Sequence, residues 1–167
     1  DPEISVEQKR LAVNRMAELA RQLPGSNVAP SRLYNPLLGA LRPEKDVQDH
    51  HVLRIAICEA LRNFSDLEGS GQLIGPLGRV VSDADEHEDV RTAAARTLAD
   101  FRKDKSAAVE ALISALNKEP DRGPNANNIS ILIQLTRTDA LLSENACKAA
   151  KTCAFFSQKG TGRCMFH

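Results

Sequence analysis

Residues 83–101 read DADEHEDVRTAAARTLADF, and the same pattern occurs once more, earlier in the chain. Residues 46–64 read DVQDHHVLRIAICEALRNF. Aligned 37 residues apart, the two segments match at an arginine, a leucine and a phenylalanine: Arg54 with Arg91, Leu61 with Leu98, and Phe64 with Phe101. Self-similarity at a fixed spacing is typical of a repeat protein, in which each copy is one structural unit.

Apolar residues spaced three and four apart predict about eight short helices, and no useful length of strand-type alternation occurs. The predicted helices cover residues 4–23, 31–42, 49–64, 72–82, 87–102, 106–118, 124–137 and 139–156. On the first of these helices the pattern places the apolar face on Leu11, Ala12, Met16, Leu19, Ala20 and Leu23. Pro24-Gly25 and the segment from Glu68 to Gly71 are predicted turns.

The helices before the two matching segments also correspond, because Asn35-Pro36-Leu37 aligns with Gly75-Pro76-Leu77 at a spacing of 40 residues. Leu41 then aligns with Val81. A pair of short helices cannot bury its own apolar face, so neighbouring pairs must stack to complete a core. The sequence therefore predicts an all-α protein whose helix pairs stack into an α-solenoid.

The segment from Asp83 to Phe101 resembles the second helix of a HEAT repeat, of the short type seen in phycobilin-lyase-like proteins. Pro36 and Pro76 lie where that family often carries a proline, which is expected to bend the first helix. The resemblance implies a right-handed α-solenoid of about four HEAT-like helix pairs over residues 1–156, clearest over 30–119. Residues 157–167 are predicted to be a flexible basic C-terminal tail.

Two arginines recur at the same repeat position, and a buried guanidinium needs a partner. The resemblance implies that Arg54 and Arg91 are structural, reaching acidic residues of their own or a neighbouring turn. The acidic candidates are Asp46 and Asp83. These four residues are predicted to form a structural ladder rather than an anion-binding site.

The side of each second helix that faces away from the predicted core is the candidate binding surface. In the first matching segment it carries His51, Ile55, Cys58, Glu59 and Arg62, and in the second it carries Thr92, Ala95, Arg96 and Ala99. Cys58 is also small enough to be a buried residue. The predicted partner contacts are Ile55, Glu59, Arg62, Thr92 and Arg96. By the resemblance, this side of the array is concave and binds a partner protein without catalysis.

Composition bears on the alternatives. The 167 residues carry 22 Lys plus Arg, 22 Asp plus Glu and no Trp, which argues against nucleic acid as the partner. A nucleic-acid binder using the basic segment 145–167 stays open, as does an enzyme subunit of the phycobilin-lyase type that holds a tetrapyrrole. No apolar run is long enough to span a membrane, and the few cysteines favour a cytoplasmic location.

No metal or cofactor site is predicted. The acidic cluster at 83–89 lacks the spacing of a calcium loop, and His87-Glu88 is a single pair where a di-iron site needs several. Cys147, Cys153, Cys164 and His167 lack the close pairing of zinc ligands. Cys153 is interpreted as a buried hydrophobe and Cys164 as the best candidate for a reactive thiol.

Overall fold

The computed structural model describes residues 5–41 and 50–118, which form six α-helices and no strand. The helices are α1 (Val6–Gln22), α2 (Ser31–Ala40), α3 (His50–Leu61), α4 (Ile74–Ser82), α5 (Glu88–Ala99) and α6 (Lys105–Lys118). Short 3₁₀ turns follow α3 and precede α4. The first six predicted helices are thereby confirmed as helical segments. The two predicted at 124–137 and 139–156, and the basic tail, lie outside the described residues.

The helices alternate along the chain between two layers. In the second-helix layer, α3 packs between α1 and α5. The first-helix layer contains α2, α4 and α6, of which α4 and α6 pack side by side. Contacts of α2 with α3 and of α4 with α5 join the layers.

The second helices α3 and α5 run in the same direction. Near their N-terminal ends the rings of His51 and His87 stack with centroids 4.4 Å apart. At their C-terminal ends Arg62 forms an ion pair with Asp100. At the corresponding end of α1, the Arg21 Nε donates a hydrogen bond to the Asn63 Oδ1 at 3.1 Å. Equivalent ends of the second helices therefore lie side by side.

The first helix of the chain repeats the burial pattern of α3 and α5. Three buried residues of α1 and its C-cap each have a buried counterpart 41 positions later, in α3 and the turn after it. Each of these counterparts has a buried equivalent a further 37 positions along the chain, in α5 and the turn after it. The buried sets are Val13, Arg54 and Arg91; Ala20, Leu61 and Leu98; and Leu23, Phe64 and Phe101. By position and packing, α1 is thus a second helix of the repeat.

The apolar face predicted for α1 is wrong in part. Ala20 and Leu23 are buried as expected, but Leu11 is 70% exposed and Leu19 is 38% exposed. Val13 is buried instead. Within the described residues, α1 packs mainly against α3, the 3₁₀ turn that follows α3, and α2, so its buried face is narrower than the distribution of its apolar residues suggests.

The two prolines of the first helices have different structural settings. Pro36 lies inside α2, where a residue without an N–H interrupts the hydrogen-bond ladder. Pro76 is the third residue of α4, in the first turn, where backbone N–H groups have no intrahelical acceptor. Pro76 therefore removes no intrahelical hydrogen bond, and its position gives no reason for α4 to bend.

Glycine allows the first helices α4 and α6 to approach closely. A Cβ placed on Gly78 would lie 3.2 Å from the Cβ of Ala111, whereas a Cβ on Gly39 of α2 would meet nothing within 4 Å. Gly69 adopts a left-handed conformation with φ of 76° in the turn before α4, which confirms the turn predicted there. No described helix has both the length and the hydropathy needed to cross a membrane.

The different surroundings of Gly78 and Gly39 predict opposite changes in stability when each is substituted. Gly78→Leu should lower the free energy of unfolding by about 2 kcal/mol, because the larger side chain forces α4 away from α6. Gly39→Ala should raise it by about 0.5 kcal/mol, because alanine has less backbone entropy to lose in a helix. Urea unfolding followed by circular dichroism measures both. Equal effects of the two substitutions would contradict the close packing of α4 on α6.

Candidate functional site

Arg54 is buried at the junction of three helices, where it bonds to both the backbone and a carboxylate. Its Nε donates a hydrogen bond to the carbonyl oxygen of Leu41, the C-cap of α2, at 2.9 Å. One terminal nitrogen forms an ion pair with Glu86 in the loop before α5, and the exposed fractions of the two side chains are 7% and 4%. The other Glu86 oxygen accepts from the backbone N–H of His87 at 2.9 Å. Arg54 therefore joins the end of one first helix to the start of the next second helix.

Arg91 makes the equivalent backbone contact one repeat later. Its Nε donates to the carbonyl oxygen of Val81, near the end of α4, at 2.9 Å. Burial lowers the pKa of Arg91, and the nearby charges of Asp83, Glu88 and Glu86 oppose that shift. Leu41 and Val81 are the residues that align 40 positions apart, so the repeat extends to the acceptor carbonyls.

The predicted ladder needs a correction in its acidic members. Asp83 supplies the largest favourable charge at Arg91, but the carboxylate that pairs with Arg54 belongs to Glu86. Asp46 lies outside the described residues. The recurrence of the arginines was visible in the sequence, whereas Glu86 is one of three carboxylates in the loop before α5, whose geometry the spacing does not define. Only its burial and its two contacts distinguish Glu86 from its neighbours.

The N-terminal ends of α3 and α5 carry histidines and carboxylates but no metal site within the described residues. His87 is the N-cap of α5, and its Nδ1 accepts a hydrogen bond from the Asp89 N–H at 3.2 Å. No group of three or more potential ligands comes together in residues 5–41 and 50–118. Within the acidic cluster, the Asp83 carboxyl accepts a hydrogen bond from the Asp85 N–H in the loop at 3.1 Å, and Glu86 is the ion-pair partner of Arg54.

The C-terminal ends of the second helices enclose a groove with a volume of about 650 Å³, here called the polar groove. Arginines, carboxylates and two smaller polar residues line it: Arg21, Glu59, Arg62, Asn63, Ser65, Asp66, Asp100 and Arg102. These residues come from the end of α1, from α3 and its following turn, and from the end of α5 and the turn after it. The polar groove therefore crosses α1, α3 and α5, the second helices in the described part of the chain.

The structure separates the five predicted contact residues. Glu59 and Arg62 are exposed and line the polar groove, and Arg96 is exposed on α5 outside it. Ile55 and Thr92 are half-buried, and Ile55 packs against the core. Sequence reasoning missed Arg21, Asp66, Asp100 and Arg102, which lie at helix ends and in turns where helical periodicity carries no signal.

Two small residues assigned to the candidate binding surface are buried instead. Cys58 and Ala95, which lie 37 positions apart, have no exposed surface. The hydroxyl of Thr97 on α5 donates to the Cys58 carbonyl oxygen at 2.8 Å. Cys58 therefore belongs to the contact between α3 and α5, and the alternative of a buried Cys58 is the right one. Cys147, Cys153, Cys164 and His167 lie outside the described residues.

A family model of HEAT repeats matches residues 35–126, which is more than half of the chain. No curated protein and no solved structure matches the chain significantly. The family match includes α3, α4, α5 and α6 in full, together with both ladder arginines.

Breaking the buried ion pair should destabilise the protein strongly. Glu86→Ala should lower the free energy of unfolding by about 3 kcal/mol, because Arg54 is left as an uncompensated buried charge. Arg62→Ala, which breaks the exposed pair with Asp100, should cost less than about 1 kcal/mol. Denaturant unfolding of both variants makes the comparison. Similar losses of unfolding free energy in the two variants would show that burial does not determine how much the ion pair of Arg54 and Glu86 stabilises the protein.

The buried thiol of Cys58 should be unreactive in the folded protein. Desolvation raises its pKa from 9.0 to about 12, although the charge of Arg54 acts in the opposite direction. Thiolate is the reactive form, so iodoacetamide at about pH 8 should label Cys58 only after unfolding, as mass spectrometry of its peptide can show. Rapid labelling of Cys58 in the native protein would contradict its burial.

The same shift of the Cys58 pKa sets a pH dependence of stability. Above about pH 9 the unfolded chain loses the proton that the folded chain still holds, so the contribution of this thiol is complete below pH 9 and is lost as the pH rises towards 12. A Cys58→Ala variant should therefore lose stability less steeply with rising pH over this interval. An identical slope for the two proteins would contradict the assignment.

Proposed function

Because this chain belongs to the HEAT-repeat family, we propose that it is a non-enzymatic scaffold that binds a partner protein through its second-helix layer. The observation that carries the proposal is the polar groove, which is continuous across α1, α3 and α5. Proteins built from stacked helix pairs present such extended surfaces and commonly use them for binding.

The proposal includes a larger architecture than the six described helices. It takes the array to be a right-handed α-solenoid of about four helix pairs, in which the second-helix layer is the concave side. Two observations support this extension: α1 has the burial pattern of a second helix, and the family match continues to residue 126. The cytoplasmic location remains a prediction.

The contact set follows from exposure in the structure. Glu59 and Arg96 occupy the same repeat position, 37 residues apart on α3 and α5, and both side chains are exposed. Neither side chain forms an ion pair with the described part of the chain. Arg62 and Thr92 complete the surface, whereas Ile55 contributes only the part of its side chain that the core leaves uncovered.

The two alternative functions have less support. A tetrapyrrole needs an apolar cavity to cover its ring system, and charged side chains line the polar groove. Binding of nucleic acid needs an excess of positive charge, and the groove has three arginines and three carboxylates. The basic segment 145–167 stays a candidate for that role outside the described residues.

Charge reversal on the second-helix layer tests the proposal. Glu59→Arg combined with Arg96→Glu should reduce partner capture from an extract of the source organism by about tenfold or more, because two exposed contacts become repulsive. The free energy of unfolding should change by less than about 1 kcal/mol, because both residues lie on the surface. Quantitative mass spectrometry of the retained proteins measures the capture.

The matched control reverses two exposed charges on the first-helix layer, Arg79→Glu with Glu110→Arg. This variant should retain the partner as the unaltered protein does. If the two variants lose the same proteins, or if the second-helix variant loses none, the result would count against recognition through the second-helix layer.

A further inference from the structure

The charges of the polar groove follow an order across the three second helices. Arg21 lies at the end of α1, Glu59 and Asp66 belong to α3 and its following turn, and Arg102 follows the end of α5. A ligand that crosses the helices in the groove therefore meets a positive, then a negative, then a positive region.

The remaining charged pair in the groove is already neutralised. Arg62 and Asp100 form an ion pair with each other between α3 and α5. By contrast, the carboxylates of Glu59 and Asp66 make no ion pair or hydrogen bond within residues 5–41 and 50–118, and neither does the guanidinium of Arg102. Arg21 keeps its charge, because its one hydrogen-bond acceptor is the neutral amide of Asn63. The groups available to a ligand are thus Arg21, Glu59, Asp66 and Arg102.

Helix spacing converts this order into a sequence pattern. Packed helices lie about 9 Å apart, and an extended peptide advances about 3.3 Å per residue, so neighbouring helices are about three residues apart along such a peptide. An extended segment that crosses the groove would place every third residue over successive second helices.

We infer that the polar groove binds an extended peptide segment of a partner protein with the pattern acidic-x-x-basic-x-x-acidic. The central Lys or Arg lies between Glu59 and Asp66, and the flanking Asp or Glu residues pair with Arg21 and Arg102. This inference rests on the proposed scaffold function and specifies the chemistry that the groove selects.

Synthetic peptides test the pattern without knowledge of the partner. The matching peptide is GSEGSKGSEGS, the inverted peptide is GSKGSEGSKGS, and the third has the composition of the matching peptide with its charged residues adjacent. At low ionic strength, fluorescence anisotropy with the full chain should give an affinity for the matching peptide about tenfold or more above that for either control. Equal affinities within about twofold, or no binding of the matching peptide, would overturn the inference.

A charge-swapped protein provides the decisive comparison. The fourfold variant Arg21→Glu, Glu59→Lys, Asp66→Lys and Arg102→Glu should prefer the inverted peptide, because each attraction is restored with opposite sign. Asp66→Lys alone, in an exposed turn, should weaken binding of the matching peptide if the fourfold variant does not fold. Circular dichroism establishes folding of each variant. A folded fourfold variant that keeps the original preference would refute the assignment.

The capture experiment with Glu59→Arg and Arg96→Glu separates this inference from the proposed function. If a partner is lost on charge reversal but the peptides show no preference, the scaffold function stands and the peptide pattern is wrong. If no partner depends on the second-helix layer, the scaffold function fails, whatever the peptides show.

Discussion

The arrangement of the helices depends on one buried guanidinium in each of two successive repeats, Arg54 of α3 and Arg91 of α5. Arg54 and Arg91 each donate a hydrogen bond to a carbonyl at the end of the preceding first helix, where the last backbone acceptors have no intrahelical donor. A hydrogen bond from a charged donor stabilises by about 1.5–3 kcal/mol, but only if the buried charge is also compensated. Glu86 provides that compensation for Arg54 and bonds to the backbone at the start of α5. One connected set of contacts therefore fixes where α2 ends and where α5 begins relative to α3.

The parallel second helices and the polar groove follow from this constraint. With the start of α5 held beside Arg54, the small and fully buried Cys58 of α3 lies against α5, where the hydroxyl of Thr97 donates a hydrogen bond to the Cys58 carbonyl oxygen. Their C-terminal ends then lie side by side, and Arg62 pairs with Asp100. The turns that leave those ends are brought to the same edge of the layer, where their charged side chains line a common groove.

The sequence was sufficient to predict the six described helices and the repeat of α3 in α5, because the apolar residues and the arginines of these two helices recur 37 residues apart. It was not sufficient to predict which residues pair or are covered when that depends on a contact with another helix or loop of the folded chain. The partner of Arg54 is Glu86, one acid among several in a loop, and only the folded chain selects it. The buried face of α1 contains Val13 rather than Leu11, because the packing of α2 and α3 determines which side is covered. Of the five predicted contact residues only Glu59 and Arg62 line the polar groove, and the other charged residues of the groove lie at helix ends and in turns.

Stability and recognition are therefore assigned to different residues of the same helices. The matching residues Arg54 and Arg91, Leu61 and Leu98, and Phe64 and Phe101 are buried, so a change at one of them alters the packing of the helices around it. The residues that line the groove are polar and lie where the helices end, so they can change with little effect on the core. A neutral total charge is consistent with the proposed binding mode, in which the order of charges along the groove, rather than their sum, determines selectivity. A HEAT-repeat array of this kind can change the charges of its groove through a few surface substitutions while the buried arginines and small residues keep the repeat intact.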